Sequence, residues 1–221
     1  MNKLLITIFA FAVASVTALA SAQDLKGDAK AAEGKIAMCV GCHGIKGYQA
    51  SFPEVHKVPM ISGQSAKYIT SALHEYQKGD RKHPTMRSIA ASLTEQDIAD
   101  IASYYSVHGV VANAPALPDT PAKTPNAEVA PLLAKGNCIS CHGSNFSKPI
   151  DVYPKIAGQH ADYLFVALKS YKADKSTVVG RNNAIMGAIA KQFSNAELKT
   201  LAGYVGSLDG ELKTVPESKF R

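Results

Sequence analysis

Cys39-Val40-Gly41-Cys42-His43 recurs as Cys138-Ile139-Ser140-Cys141-His142, ninety-nine positions further along the chain. C-x-x-C-H is the attachment signature of c-type haem. Two thiols spaced by two residues each add to one vinyl group of the same porphyrin, and the histidine that follows sits beneath the iron as its proximal ligand. The two motifs use all four cysteines of the chain. Three other chemistries employ paired cysteines. A disulfide framework would cross-link a chain of this length poorly from two tight pairs. A zinc site needs further Cys or a spaced His pair, and no H-x-x-x-H follows either motif. A thioredoxin-like redox pair does not require a histidine directly after the second cysteine, still less twice.

Of the 221 residues, the first twenty-two read as a signal peptide. Lys3 supplies a positive start, Leu4 to Leu19 is almost wholly apolar, and Ala20-Ser21-Ala22 forms an A-x-A cleavage site. Removal after Ala22 is expected, with an uncleaved anchor as the alternative. No later stretch is apolar enough to span a bilayer. The periplasm is therefore the expected location, and it is also where bacteria attach c-type haem. Without the signal peptide, residues 23–115 carry a formal +1 and residues 116–221 a formal +4. No basic block with interleaved aromatics is present, so nucleic acid is not an expected partner. The charge asymmetry points to an acidic partner for the second half or, more simply, to a solvated surface.

The repeat extends well beyond the motifs. Pro59-Met60-Ile61-Ser62-Gly63-Gln64 matches Pro154-Lys155-Ile156-Ala157-Gly158-Gln159 at an offset of ninety-five, as do Tyr68, Leu73 and Tyr76 with Tyr163, Leu168 and Tyr171. Five residues inserted around Thr177 to Asn182 move the offset to one hundred, where Met86, Ile89-Ala90 and Tyr104 meet Met186, Ile189-Ala190 and Tyr204. The expected organisation is one domain over 23–110, a Pro/Ala-rich linker over 111–126 and a second domain over 127–221. Helical spacing of apolar residues recurs in both halves, and no run alternates as a strand does. Thr94-Glu95-Gln96-Asp97 and Ser194-Asn195-Ala196-Glu197 predict capping boxes at the start of each final helix. Behind them, Ile98, Ile101, Ala102 and Tyr105 form an apolar stripe, matched by Leu198, Leu201, Ala202 and Val205. A domain this small with no Trp has little material for a core, and a flat apolar cofactor would supply it.

Each proximal histidine, His43 and His142, needs a partner on the opposite face of the iron. Equivalent sites should use equivalent positions. His56, His74, His83 and His108 align with Asp151, Lys169, Asn183 and Leu208, and His160 aligns with Ser65. Met60 and Met38 align with Lys155 and Asn137. Met86 and Met186 alone are duplicated, each a short turn before the final helix. Core packing is the other use for such methionines. His/Met ligation raises the reduction potential and fills all six iron positions. A ligating imidazole usually donates its other N–H to an acceptor; the carbonyls of Pro59 and Pro154 are candidates, unless these prolines only stiffen a turn. Arg87 and Arg181 are candidates for pairing with haem carboxylates, but they do not align with each other and read as solvated charges.

These residues together resemble the dihaem cytochromes c of the cytochrome c4 family. The matches are C-V-G-C-H-G and C-I-S-C-H-G, P-M-I-S-G-Q and P-K-I-A-G-Q, then M-R-S-I-A and M-G-A-I-A, in order over nearly the whole mature chain. The resemblance implies an all-α fold: two tandem class I cytochrome c domains, each of three to four short helices packed around a covalent haem, facing each other across a pseudo-twofold. It implies two haem c groups on Cys39, Cys42, Cys138 and Cys141, with His43 and His142 as proximal and Met86 and Met186 as distal iron ligands. Pro59 and Pro154 fall where the family's loop proline meets the proximal histidine. The implied role is a periplasmic one-electron carrier, not an enzyme. A cytochrome bc-type complex or a dehydrogenase is the implied donor, and a terminal oxidase or reductase the acceptor; peripheral membrane association stays open. The alternative is a haem c subunit of a dehydrogenase such as flavocytochrome c sulfide dehydrogenase. Pro131 departs from the pattern, lying seven residues before Cys138, and the helix there is expected to start late.

Overall fold

Among the described residues the two halves fold alike, with five helical segments each. In a computed structural model, which describes residues 25–173 and 176–217, the first half contains α1 (Ala29–Ala32), α2 (Ala37–His43), α3 (Ala66–Lys78), α4 (Pro84–Ala91) and α5 (Glu95–Val107). The second contains α6 (Val129–Gly136), α7 (Ile139–His142), α8 (Ala161–Ser170), α9 (Ala184–Ala190) and α10 (Asn195–Gly206). The expected signal peptide, 1–22, lies outside the described residues. A class expected to be all-α also holds one small hairpin in the first half, where β1 (Gln49–Ala50) pairs antiparallel with β2 (His56–Lys57). Two-residue strands are too short for any alternation to register. Among the described residues no helix is long and apolar enough to cross a membrane.

Local chemistry sets the helix limits. Thr94 and Asp97 close the predicted capping box of α5, with Asp97 N–H donating to Thr94 Oγ1 at 3.2 Å and Thr94 N–H to Asp97 Oδ2 at 2.9 Å. Ser194 and Glu197 do the same for α10. Both predicted stripes are buried. Gly79 ends α3 in the left-handed region at φ 81°, a C-cap that favours glycine. Pro131 sits in the first turn of α6, where its missing N–H has no helical partner to lose, and α6 starts one position later than α1 by the repeat.

Met86 and Met186 depart from the expected turn: each lies in the first turn of a short helix. His83 caps α4 by accepting the Met86 N–H at 3.4 Å, and Asn183 caps α9 by accepting the Met186 N–H at 3.0 Å. Pro84 at the first position of α4 reinforces the start signal.

The halves meet through their duplicated loops. Gln64 and Gln159 are each 4 % exposed and reach across the contact in the same way. Where the repeats differ in length, the extra residues also lie at this contact. The first half is four residues longer between motif and proline loop, and that hairpin packs on α8: Lys57 N–H donates to Asp162 Oδ2 at 3.1 Å, and Lys169 pairs with Glu54 at 2.6 Å. The insertion of the second half reaches back, with Lys82 N–H donating to the Gly180 carbonyl at 3.0 Å and Asn182 N–H to the Asp80 carbonyl at 2.7 Å. The linker lies against the second half, where its Lys123 carbonyl accepts from Tyr204 Oη at 2.8 Å. Beyond α10 the chain returns to the first half, and Lys213 N–H donates to the Ser62 carbonyl at 3.0 Å. Gly63, at φ 82°, lets this tail approach, since a Cβ there would stand 2.8 Å from the Glu211 carbonyl oxygen.

Candidate functional site

Each C-x-x-C-H ends a helix, α2 or α7, and the loop that follows returns a proline carbonyl to its histidine. His43 Nδ1 lies 2.8 Å from the Pro59 oxygen, and His142 Nδ1 lies 3.0 Å from the Pro154 oxygen. A carbonyl only accepts, so Nδ1 carries the proton in both rings and Nε2 keeps its lone pair. Burial lowers the pKa of both imidazoles and so favours the neutral ring a metal requires, while the proline carbonyl partly opposes it.

No disulfide joins Cys39, Cys42, Cys138 or Cys141. Burial pushes the Cys39 thiol up to about 11 and raises Cys138 as well. All four cysteines, both histidines, Met86 and Met186 line one continuous cavity of about 570 Å³ that runs through both halves. Met86 packs against the first-half core, and Met186 is half-buried. No three His, Cys, Asp or Glu side chains converge as a metal site among the described residues.

The cavity also holds two arginines, Arg81 buried and Arg181 half-buried. Arg81 is 5 % exposed; its guanidinium lies 5.2 Å from the Tyr68 ring centroid and 5.6 Å from that of Tyr76, and pairs with Glu75. Arg181 lies 5.5 Å from the Tyr163 and Tyr171 centroids and donates to Tyr163 Oη at 2.9 Å. The two arginines face each other across the halves through an isolated antiparallel bridge. The reading of Arg181 as a solvated charge is corrected here, because it is half-buried and its guanidinium is held against the Tyr163 and Tyr171 rings; Arg87 is exposed. The equivalent of Arg181 is Arg81, at the offset of one hundred, and that comparison would have exposed the pair in the sequence.

A haem fits this lining. The cavity is mostly apolar, each half offers two thiols and an imidazole Nε2, and two arginines, only one of them paired with a carboxylate, leave positive charge for acidic substituents to meet.

The cytochrome c family model matches residues 31–106 and again 127–209. A cytochrome c4 of Azotobacter vinelandii is 30 % identical over 227 residues, spanning 94 % of this chain and all of that one. A thiosulfate dehydrogenase electron acceptor of Stutzerimonas stutzeri is 28 % identical over 181 residues, 77 % of this chain and 78 % of that one. The crystal structure of reduced cytochrome c4 from Pseudomonas stutzeri superposes with a TM-score of 0.57 at 26 % identity, over 83 % of this chain and all of that one. A helical chain whose duplicated haem-attachment motifs, duplicated domains and relatives all agree belongs to the cytochrome c family, in its dihaem cytochrome c4 group. It carries two covalent c-type haems, one at Cys39/Cys42 and one at Cys138/Cys141, and its function is electron transfer.

Proposed function

We propose that this protein is a periplasmic one-electron carrier whose two irons are each held by a histidine and a methionine: His43 with Met86, His142 with Met186. The domains run over 23–110 and 127–221, joined by the linker 111–126. The observation that carries the ligand assignment is the matched placement of both pairs. Each histidine has Nδ1 tied to a proline carbonyl, and each methionine occupies the same position of a short capped helix on the same cavity.

Bound haem supplies a one-electron iron couple. The chain holds and insulates it. Pro59 and Pro154 fix ring orientation and tautomer; α4 and α9 hold the thioethers; Arg81 and Arg181 meet the acidic edges. His43 with Met86 and His142 with Met186 would hold the irons from both sides and leave no substrate site there, so the reading is a carrier rather than an enzyme. A cytochrome bc-type complex or a dehydrogenase as donor and a terminal oxidase or reductase as acceptor suit such a couple.

An optical spectrum with haem quantified per chain tests this reading. Two haems are expected, with a sulfur-to-iron charge-transfer band that Met86→Ala or Met186→Ala each reduce by about half. One haem per chain, an undiminished band, or ready carbon monoxide binding by the reduced protein at neutral pH would overturn it. Likeness to a thiosulfate dehydrogenase electron acceptor favours a second reading, a haem subunit serving a dehydrogenase. Stable co-purification with such an enzyme would select it.

A further inference from the structure

Besides His43 and His142, two imidazoles line the cavity, and one of them stands beside Met86. His83 is half-buried three residues before that methionine, and its ring meets Phe52 edge-on with centroids 5.8 Å apart. It is the N-cap of α4, where Nδ1 accepts the Met86 N–H at 3.4 Å, a long bond. Burial first, and the nearness of His83 after it, lower the pKa of His43, so the two rings share one space. The equivalent residue of the second half, one hundred positions on, is Asn183. Asn183 caps α9 by the same bond to Met186 at 3.0 Å, but its side chain is exposed and ends in an amide. The other imidazole, His56, is tied through Nδ1 to the Glu54 carbonyl at 2.8 Å and lies beside Tyr163 of the other half.

A thioether favours ferrous iron over ferric, which is how His/Met ligation raises a reduction potential above that of two nitrogens. By the same linkage, an imidazole competes best for ferric iron. We propose that His83 is a reserve axial ligand of the first haem: when the Met86 thioether leaves the ferric iron, the His83 imidazole takes its place, whereas the second haem, with Asn183 there, is left open. The first haem thus stays closed to small molecules under conditions that open the second. The exchange breaks one Fe–S bond and forms one Fe–N bond, and the oxidation state of the iron does not change. While Nδ1 accepts from Met86, Nε2 carries the proton of the ring; ligation through Nε2 moves that proton to Nδ1, the tautomer already held by His43. The movement is local. Pro84 and Thr85, the residues between, are exposed, and the Met86 N–H that His83 releases is a first-turn group open to water. The inference rests on Met86 and Met186 as distal ligands.

The test is the spin state of the ferric holoprotein, read by electron paramagnetic resonance beside the optical spectrum. Met186→Ala should turn the second haem high-spin. Met86→Ala should leave the first haem low-spin, with the signal of two-histidine ligation. Adding His83→Asn to Met86→Ala installs the helix cap of the second half and should turn the first haem high-spin. If that double variant loses haem, Asn183→His in Met186→Ala decides instead, and should return the second haem to low spin. The proposal falls if Met86→Ala alone is high-spin, or if the double variant stays low-spin through another ligand such as His56. Where Asn183→His decides, a second haem that stays high-spin defeats it. The sulfur-to-iron band separates the two readings: a band that Met86→Ala reduces, beside a high-spin first haem, defeats the reserve role of His83 alone, whereas a band that Met86→Ala leaves whole defeats the ligand assignment beneath it.

Discussion

Gln64 and Gln159 hold the two halves together by the same bond pattern, exchanged. Gln64 donates through Nε2 to the Lys155 carbonyl at 2.9 Å and accepts the Lys155 N–H at 3.0 Å; Gln159 donates to the Met60 carbonyl at 2.9 Å and accepts the Met60 N–H at 3.0 Å. Residues 60 and 155 are themselves equivalent, so the contact is isologous in the manner of a twofold dimer. Each carboxamide, working as donor and acceptor at once, satisfies two backbone groups of the other half and one N–H of its own, Ser65 or His160.

Truncating one carboxamide strands two half-buried N–H groups and one half-buried carbonyl. Gln64→Ala and Gln159→Ala should each lower stability by about 2 kcal/mol, the cost of leaving such groups unpaired. The two clasps share no partner, so the double variant should show nearly additive loss. Denaturant unfolding of the holoprotein measures both. A second transition should separate in the double variant, as the halves begin to unfold independently. Coincident, unshifted curves would mean the clasp is decorative.

The returning tail gives a second, separable tie. His108 Nε2 lies 2.9 Å from Glu217 Oε1, and a carboxylate only accepts, so Nε2 is protonated and Nδ1 receives the Ser62 hydroxyl, 2.9 Å away. Tyr104 Oη donates to the same Glu217 oxygen at 3.2 Å, and Lys155 pairs with Glu211 at 2.5 Å. Ending the chain after Asp209 should cost on the order of 2 kcal/mol through the orphaned His108 and Tyr104. Glu217→Gln should cost less. Thermal unfolding of the two variants checks the order; equal values would place the whole effect at Glu217, whereas a costly truncation beside a neutral Glu217→Gln would assign it to the contacts of Val215, which lies against Gly44 and Gly109.

Much of the fold was legible because it is local or repeated. Capping boxes need four adjacent residues, helical stripes need one turn of periodicity, and the Met86/Met186 pair emerged from comparing copies. What escaped is what depends on the other half. Gln64 and Gln159 stood in the quoted repeat, yet nothing within either copy says that a glutamine will pair across the molecule. Arg181 looked solvated because its half-burial beside Tyr163 and Tyr171 comes with its bridge to Arg81 of the other half. The His56–Lys57 strand is anchored by Asp162, a residue of α8, and its own neighbours carry no period.

At acid pH the tie between α1 and α5 should fail first. Asp100, 2 % exposed, accepts the Asp28 N–H at 2.8 Å and Gln96 Nε2 at 2.8 Å, and pairs with Lys35 at 3.0 Å. These partners, the Asp28 N–H foremost, hold its carboxyl below the usual carboxylate range, and Lys35 with Thr94 does the same for Asp97. A carboxyl that binds its proton less readily folded than unfolded stabilises the fold above the unfolded pKa of about 3.9, and that contribution vanishes as pH falls through the folded value. Asp100→Asn should therefore be less stable than wild type at neutral pH by about 1–3 kcal/mol. Its disadvantage should shrink steadily below about pH 4. The second half has Thr200 at this position, bonded to Glu128 at 3.1 Å on the surface, so Thr200→Val should leave the acid limb unchanged. Urea unfolding from neutral pH down to about pH 2 reads both variants. A constant gap between Asp100→Asn and wild type across that range would show that Asp100 acts through packing rather than through its charge.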